Sequence, residues 1–143
     1  MNDTAQLLDS TYKGSHMGIQ SIHKLLEKLE DEQAVVGELQ SQLAEYEEIN
    51  EETITMLHEA GEKEKDINPI AKVSSDVSVT VNTMIDRSNS HVAEMMMQGN
   101  AMGVIKIIKA MNEYSGADEP AKNIAHRLLD TEQSNFENMK KYL

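Results

Sequence analysis

The sequence predicts an all-α protein, an antiparallel up-and-down four-helix bundle in a single domain over residues 1–143. Apolar residues recur three or four positions apart over long stretches, which is the period of a helix that buries one face. Two prolines, seven glycines, one phenylalanine and no tryptophan leave a multi-turn β architecture without its turn residues and strand formers. A chain of 143 residues can bury roughly two-thirds of its unfolded surface in one domain.

The first two helices are indicated by a cap and by regular apolar spacing. The first helix is predicted to begin at Asp3 or Thr4, both good capping residues, and to end near Asp31. The second is predicted from about Glu32 to Ala60, with an outer face rich in glutamate that favours exposure to solvent. The apolar stripe of the first helix comprises Ala5, Leu8, Tyr12, Ile19, Ile22, Leu26 and Leu29, and that of the second comprises Val36, Leu39, Leu43, Tyr46 and Leu57.

The third segment, residues 69–114, keeps the same apolar spacing over an unusual length. It is predicted to be one very long third helix, or two nearly continuous ones, kinked near Gly99 and Gly103. Pro69 favours the start of this helix, because proline is tolerated in the first helical turn. A turn at residues 115–118 precedes the last helix, predicted over residues 119–141. Short loops predict that neighbouring helices run antiparallel.

Composition excludes several classes of function. A formal net charge of -12 disfavours nucleic acid as a partner, because phosphate binding requires clustered Lys and Arg. The lack of cysteine excludes disulfides, thiolate metal sites and cysteine nucleophiles, and agrees with a cytoplasmic location. No signal peptide and no apolar run of about 18 residues is present, so neither export nor a membrane span is expected.

Short motifs give little further indication of chemistry. Gly99 and Gly103 have the spacing that lets two helices approach closely, and they lack the Gly-Lys-Ser/Thr ending of a phosphate-binding loop. No Gly-x-Ser-x-Gly motif indicates a hydrolase, and no motif identifies a small-molecule substrate. The methionines at positions 95–97 are typical of core packing, with binding of a soft metal or an apolar partner as the alternative.

Polar residues that interrupt the apolar stripes are the candidates for a metal site. Glu132 lies near the middle of the apolar face of the last helix, where an ionised carboxylate is costly and its pKa is expected to rise. His91 and Glu94 are three positions apart on the third segment and can reach one ion, with His16 on the first helix in support. Imidazole and carboxylate suit iron, manganese or zinc. The alternative is that these residues are hydrogen-bonded bundle residues without a metal.

Four helices with polar residues facing inward resemble the ferritin-like superfamily, which includes rubrerythrins and bacterioferritins. The resemblance implies a di-metal site made from one Glu on each of two helices and a Glu-x-x-His pair on each of the others. The sequence departs from that motif at two places. His91 and Glu94 stand in the reverse order, and Asn135 stands where a His would follow Glu132. The resemblance therefore covers the architecture and not the metal motif.

These observations predict a binding or self-associating helical protein. It is expected to form a homo-oligomer through helix packing, with metal binding in the bundle core at His91, Glu94, Glu132 and His16. The alternative is a ferritin-like di-metal carboxylate oxidoreductase or a metal-storage protein.

Overall fold

The computed structural model describes residues 2–61, 81 and 83–143, and this part of the chain is helical without any strand. The all-α prediction is therefore confirmed for these residues. None of the described helices is long and apolar enough to cross a membrane. The helices are α1 (Asp3–Lys28), α2 (Ala34–Glu59), α3 (Asn89–Glu113) and α4 (Glu119–Met139), and a 3₁₀ turn (Lys140–Tyr142) follows α4.

Of the four helices that the described residues form, three begin at a side-chain cap. Asn2, Ser88 and Asp118 precede α1, α3 and α4, and each accepts a hydrogen bond from a backbone N–H of the first turn. Such caps satisfy N–H groups that have no partner within the helix. At α4 the cap is followed by Pro120 in the first turn, where proline is tolerated. Local side-chain chemistry thus fixes where these helices start.

The prediction of a very long third helix is wrong, because the predicted helical stretch is interrupted at residues 84–87. Residues 84–87 are not helical, and α3 begins only at Asn89, so it has 25 residues, close to the 26 of α1. The backbone N–H of Ser88 donates to Asp86 Oδ1 at 2.9 Å, which favours a turn over a continuing helix. From there α3 runs through Gly99 and Gly103 without interruption. The start predicted at Pro69 lies outside the described residues.

Helix α2 runs antiparallel to α4. Gln42, in the first half of α2, donates to the sulfur of Met139 at the end of α4 at 3.3 Å. Glu52, near the end of α2, pairs with Arg127 in the first half of α4 at 2.8 Å. Residue numbers therefore rise along one helix as they fall along the other.

Helix α3, in contrast, runs parallel to α2. The amide of Gln33, just before α2, donates to Asn89 Oδ1 at the start of α3 at 3.2 Å. Further along both helices, Asn100 Nδ2 donates to the Tyr46 hydroxyl at 3.2 Å. The prediction of antiparallel up-and-down connections is therefore wrong at this step. Residues 60–88 separate the two helices in the sequence.

Helix α1 runs parallel to α4, which completes the order up, down, down, up. Thr4 at the start of α1 accepts a hydrogen bond at 2.9 Å from the backbone of Asp118, which caps α4. Ten residues further along α1, Gly14 contacts Leu128 of α4. The core between the helices is largely aliphatic, and Tyr46 is its largest fully buried side chain. That tyrosine marks the candidate site.

Candidate functional site

The site is built around Glu132, a carboxylate in the core. Its place in the apolar face of α4 leaves it only 5 % exposed. The hydroxyl of Tyr46, which is also buried, donates a short hydrogen bond to Glu132 Oε1. Asn100, 2 % exposed, donates in turn to the Tyr46 hydroxyl. Residues from α2, α3 and α4 thus form one buried polar cluster: Tyr46, Asn100 and Glu132.

The second carboxylate oxygen of Glu132 lies against the backbone of α3 at Gly103. A Cβ atom added at Gly103 would overlap Glu132 Oε2. Gly18 of α1 has the same relation to Tyr46, because a Cβ there would lie 2.7 Å from the ring. Glycine at these two positions therefore makes room for the two side chains of the cluster.

Burial controls the ionisation of the cluster. Removal from water raises the pKa of Glu132 to about 7, although hydrogen bonds from Tyr46 and Asn100 lower it in part. The pKa of the Tyr46 hydroxyl is raised well above 10, first by burial and then by the negative charge of Glu132. Tyr46 is therefore a neutral hydrogen-bond donor at all ordinary pH values. Glu132 changes its charge near neutral pH, which is a frequent property of functional carboxylates.

A groove of about 660 Å³ between α1 and α3 reaches this cluster. Glu132, Tyr46 and Asn100 belong to its wall. Four glycines, at positions 14, 18, 99 and 103, allow the two helices to border the groove with little side-chain bulk. Most of the remaining wall is apolar and comprises Met17, Leu25, Val81, Met95, Met96, Met102, Ile107 and Leu128. An apolar cavity with a few convergent polar groups is the usual form of a small-molecule site.

Two lysines also line the α1–α3 groove. Lys13 of α1 is half-buried and pairs with Asp9 at 2.9 Å, one turn earlier on the same helix. Lys106 of α3 is exposed. Lys13 is therefore paired with a carboxylate and Lys106 is exposed to solvent, whereas the carboxylate of Glu132 is buried.

The structure separates the residues predicted to bind metal. His91 lies in the first turn of α3, about 18 Å along the helix axis from Gly103, where Glu132 contacts α3. Glu94 is exposed. His16 stacks on Tyr12 and, at 100° per residue, points away from the face of α1 that carries Gly14 and Gly18.

A di-metal group therefore does not fit the described residues. No group of three or more His, Asp or Glu side chains in the described ranges is placed to hold one ion. Among the described residues that line the groove, Glu132 supplies the carboxylate, and its polar neighbours Tyr46 and Asn100 add neither a histidine nor a second carboxylate. Metal binding at His91, Glu94, Glu132 and His16 stays a prediction.

Sequence reasoning selected Glu132 but missed its partners. Tyr46 was assigned to the apolar stripe of the second helix, and Asn100 was not singled out. The signal available for Asn100 was its place between Gly99 and Gly103, one position from small residues that allow close helix approach. The helix that packs against Gly99 and Gly103 depends on the direction of α3, and the sequence does not indicate that direction.

Comparison of this chain with protein families, with curated proteins and with solved structures finds no match. The geometry of the site is therefore the basis for a function.

Proposed function

We propose that this protein binds a small, largely apolar molecule in the α1–α3 groove. The observation that carries the proposal is the groove itself, which combines a volume of about 660 Å³, an apolar wall and one buried polar cluster. A volume of this size suits a drug-sized ligand. The methionines of the wall adapt to ligands of different shape, because their side chains are unbranched and polarizable.

Binding of the apolar dye Nile red tests the proposal. We expect a saturable rise in its emission with one site per chain. Gly99 lines the groove and has no described atom within 4 Å of an added Cβ, so Gly99→Phe is expected to narrow the groove while α3 stays folded. Gly37 on α2 is the matched control, because it also has open space around an added Cβ but lies outside the groove.

We expect Gly99→Phe to weaken Nile red binding at least about tenfold, which corresponds to about 1.4 kcal/mol, and Gly37→Phe to leave it unchanged. Equal affinity in both variants, or dye binding that does not saturate, would contradict a site in the groove. Circular dichroism of both variants checks that the helices are retained.

Self-association is a second proposal, supported by an exposed apolar stripe on α3. Met102 and Ile105 are 54 % and 55 % exposed, and Ile108 lies one turn further on. Exposed apolar side chains grouped on one helix face are frequent at protein contacts. Light scattering at micromolar concentration tests this proposal. A compact monomer would contradict it, and loss of a dimer in Ile105→Glu would support it.

The ferritin-like di-metal alternative is supported by one observation, the order up, down, down, up of the four described helices. Ferritin-like bundles also contain one pair of successive helices that run parallel. Elemental analysis of protein purified without a histidine tag or added metal tests it. Two metal atoms per chain that are lost in Glu132→Ala would favour a metalloprotein, and a folded, metal-free protein would contradict it.

A further inference from the structure

We propose that the α1–α3 groove selects lipophilic amines, whose ammonium group donates hydrogen bonds to Glu132 and Asn100 at the buried end of the groove. This inference rests on the proposed binding function and adds the chemical class of the ligand.

The first observation that supports this inference is a buried hydrogen-bond acceptor that has no donor. Asn100 is 2 % exposed and lines the groove, yet its side-chain oxygen has no hydrogen-bond partner among the described residues. Its side-chain nitrogen, in contrast, has a partner, because it donates to the Tyr46 hydroxyl. Buried polar atoms are nearly always satisfied, so this oxygen calls for a donor from outside the described chain.

The second support is the carboxylate beside it. Tyr46 occupies Glu132 Oε1, which leaves Oε2 at the position of Gly103 on the groove side of α3. Asn100 and Gly103 are three positions apart and share a face of α3. The side chains of Asn100 and Glu132 therefore place acceptor oxygens in the wall of one apolar groove. A primary ammonium group offers three donors and a positive charge, which matches this pair of acceptors.

The charged groups around Glu132 agree with a cationic ligand. From α1 the groove receives Lys13, which is neutralised by Asp9, and from α3 it receives the exposed Lys106. From α2 it receives the neutral donor Tyr46. On α4 itself, Arg127 pairs with glutamates of α2 outside the groove. The buried charge that an incoming ligand meets is therefore negative, in a chain whose formal net charge is -12.

Isothermal titration calorimetry with three probes of equal chain length tests the inference. Octylamine, octan-1-ol and sodium octanoate share the apolar tail and differ in the head group. At pH 8 we expect octylamine to bind at least about tenfold more tightly than octanol, the usual gain from one charge-assisted hydrogen bond. Octanoate is expected to bind most weakly, because its carboxylate is repelled by the carboxylate of Glu132.

The role of Glu132 is tested by substitution and by pH. Glu132→Gln should reduce the affinity for octylamine at least about tenfold and change that for octanol less than about twofold. Glu47→Gln is the matched control, since Glu47 is an exposed carboxylate on α2 outside the groove. With the unaltered protein, octylamine affinity should fall by up to about 30-fold between pH 8 and pH 5.5 as Glu132 takes up a proton. His16 and His91 lie away from the groove, so Glu132→Gln should abolish this dependence.

The possible failures are distinguishable. If octanol binds as tightly as octylamine at every pH, the groove binds by apolar contact alone, and amine selection is refuted while the proposed function stands. If octanoate binds most tightly, Lys13 and Lys106 dominate recognition and amine selection is again refuted. If none of the three probes and no Nile red binds, the proposed binding function itself is wrong.

Discussion

Replacement of Glu132 by glutamine should stabilise the protein at high pH and not at low pH. Glutamine keeps an oxygen that accepts from the Tyr46 hydroxyl, but it never ionises. The pKa of Glu132 is raised from 4.5 to about 7 in the folded protein, so the native state binds the proton more tightly than the unfolded chain does. Stability conferred by the protonated form is therefore complete below pH 4.5 and is lost as pH rises towards 7.

The size of the effect follows from the pKa difference. One pKa unit corresponds to 1.36 kcal/mol, so the shift of Glu132 corresponds to a loss of about 3 kcal/mol in the free energy of unfolding between pH 4 and pH 8.5. Glu132→Gln has no ionisable group at this position, so its free energy of unfolding does not show this loss. We therefore expect the difference in unfolding free energy, Glu132→Gln minus unaltered protein, to be about 3 kcal/mol larger at pH 8.5 than at pH 4.

Urea unfolding followed by circular dichroism measures this difference at a series of pH values. All other titrating groups are common to the two proteins and cancel from the difference. Glu47→Gln serves as the control, and its difference is expected to stay within about 0.5 kcal/mol throughout because Glu47 is exposed. A difference for Glu132→Gln that is the same at pH 4 and pH 8.5 would refute the raised pKa. Destabilisation at pH 8.5 would show that the ionised carboxylate is stabilised by a partner.

Urea unfolding can also measure the effects of five further substitutions, two of which are compared with each other. Gly103→Ala should destabilise the protein by about 1–3 kcal/mol, because its Cβ would overlap the buried side chain of Glu132. Gly99→Ala should stabilise it by up to about 1 kcal/mol, because the space around an added Cβ is open. Equal effects of the two substitutions would contradict the close approach of Glu132 to Gly103. Tyr46→Phe should lower the free energy of unfolding by about 1–3 kcal/mol, and by more at pH 8.5 than at pH 4, because it removes the hydrogen-bond donor to the Glu132 carboxylate. A loss of stability that does not depend on pH would contradict this role of Tyr46. Ser88→Ala should cost about 1 kcal/mol through loss of the α3 cap, and no change would mean that the cap is replaced by water. Arg127→Gln should lower the free energy of unfolding by up to about 1 kcal/mol at low salt and by less at high salt, because Arg127 pairs with three partly exposed carboxylates of α2. A loss of stability that salt does not reduce would indicate that Arg127 acts through packing instead.

The existence of the helices could be predicted from the sequence, because burial of one face imposes its period on the apolar residues. The break before α3 was missed for the same reason. Val81, Met84, His91 and Met95 stay in helical register across residues 84–87, so periodicity alone does not reveal the interruption. The local signal was present in Asp86 and Ser88, whose side chains bond to the backbone and compete with a continuing helix.

The direction of α3 could not be predicted from helix lengths and spacings. A short loop would impose an antiparallel neighbour, but residues 60–88 are long enough to allow either direction. The contacts that decide it, such as Gln33 with Asn89, join residues more than fifty positions apart. The same limit applies to the site. The burial of Glu132 follows from its own helix, whereas its bond to Tyr46 depends on how α2 and α4 are arranged.

The free-energy cost of Glu132 is itself an argument for function. A glutamine would accept the same hydrogen bond from Tyr46 without an ionisable group, so the packing of the core does not require an acid. At neutral pH the acid is the less stable choice, because burial opposes its charge. Ionisable residues with strongly shifted pKa values are frequent at functional sites. The ligand proposed above would bring a donor to this carboxylate, at the end of an apolar groove that Asn100 also lines.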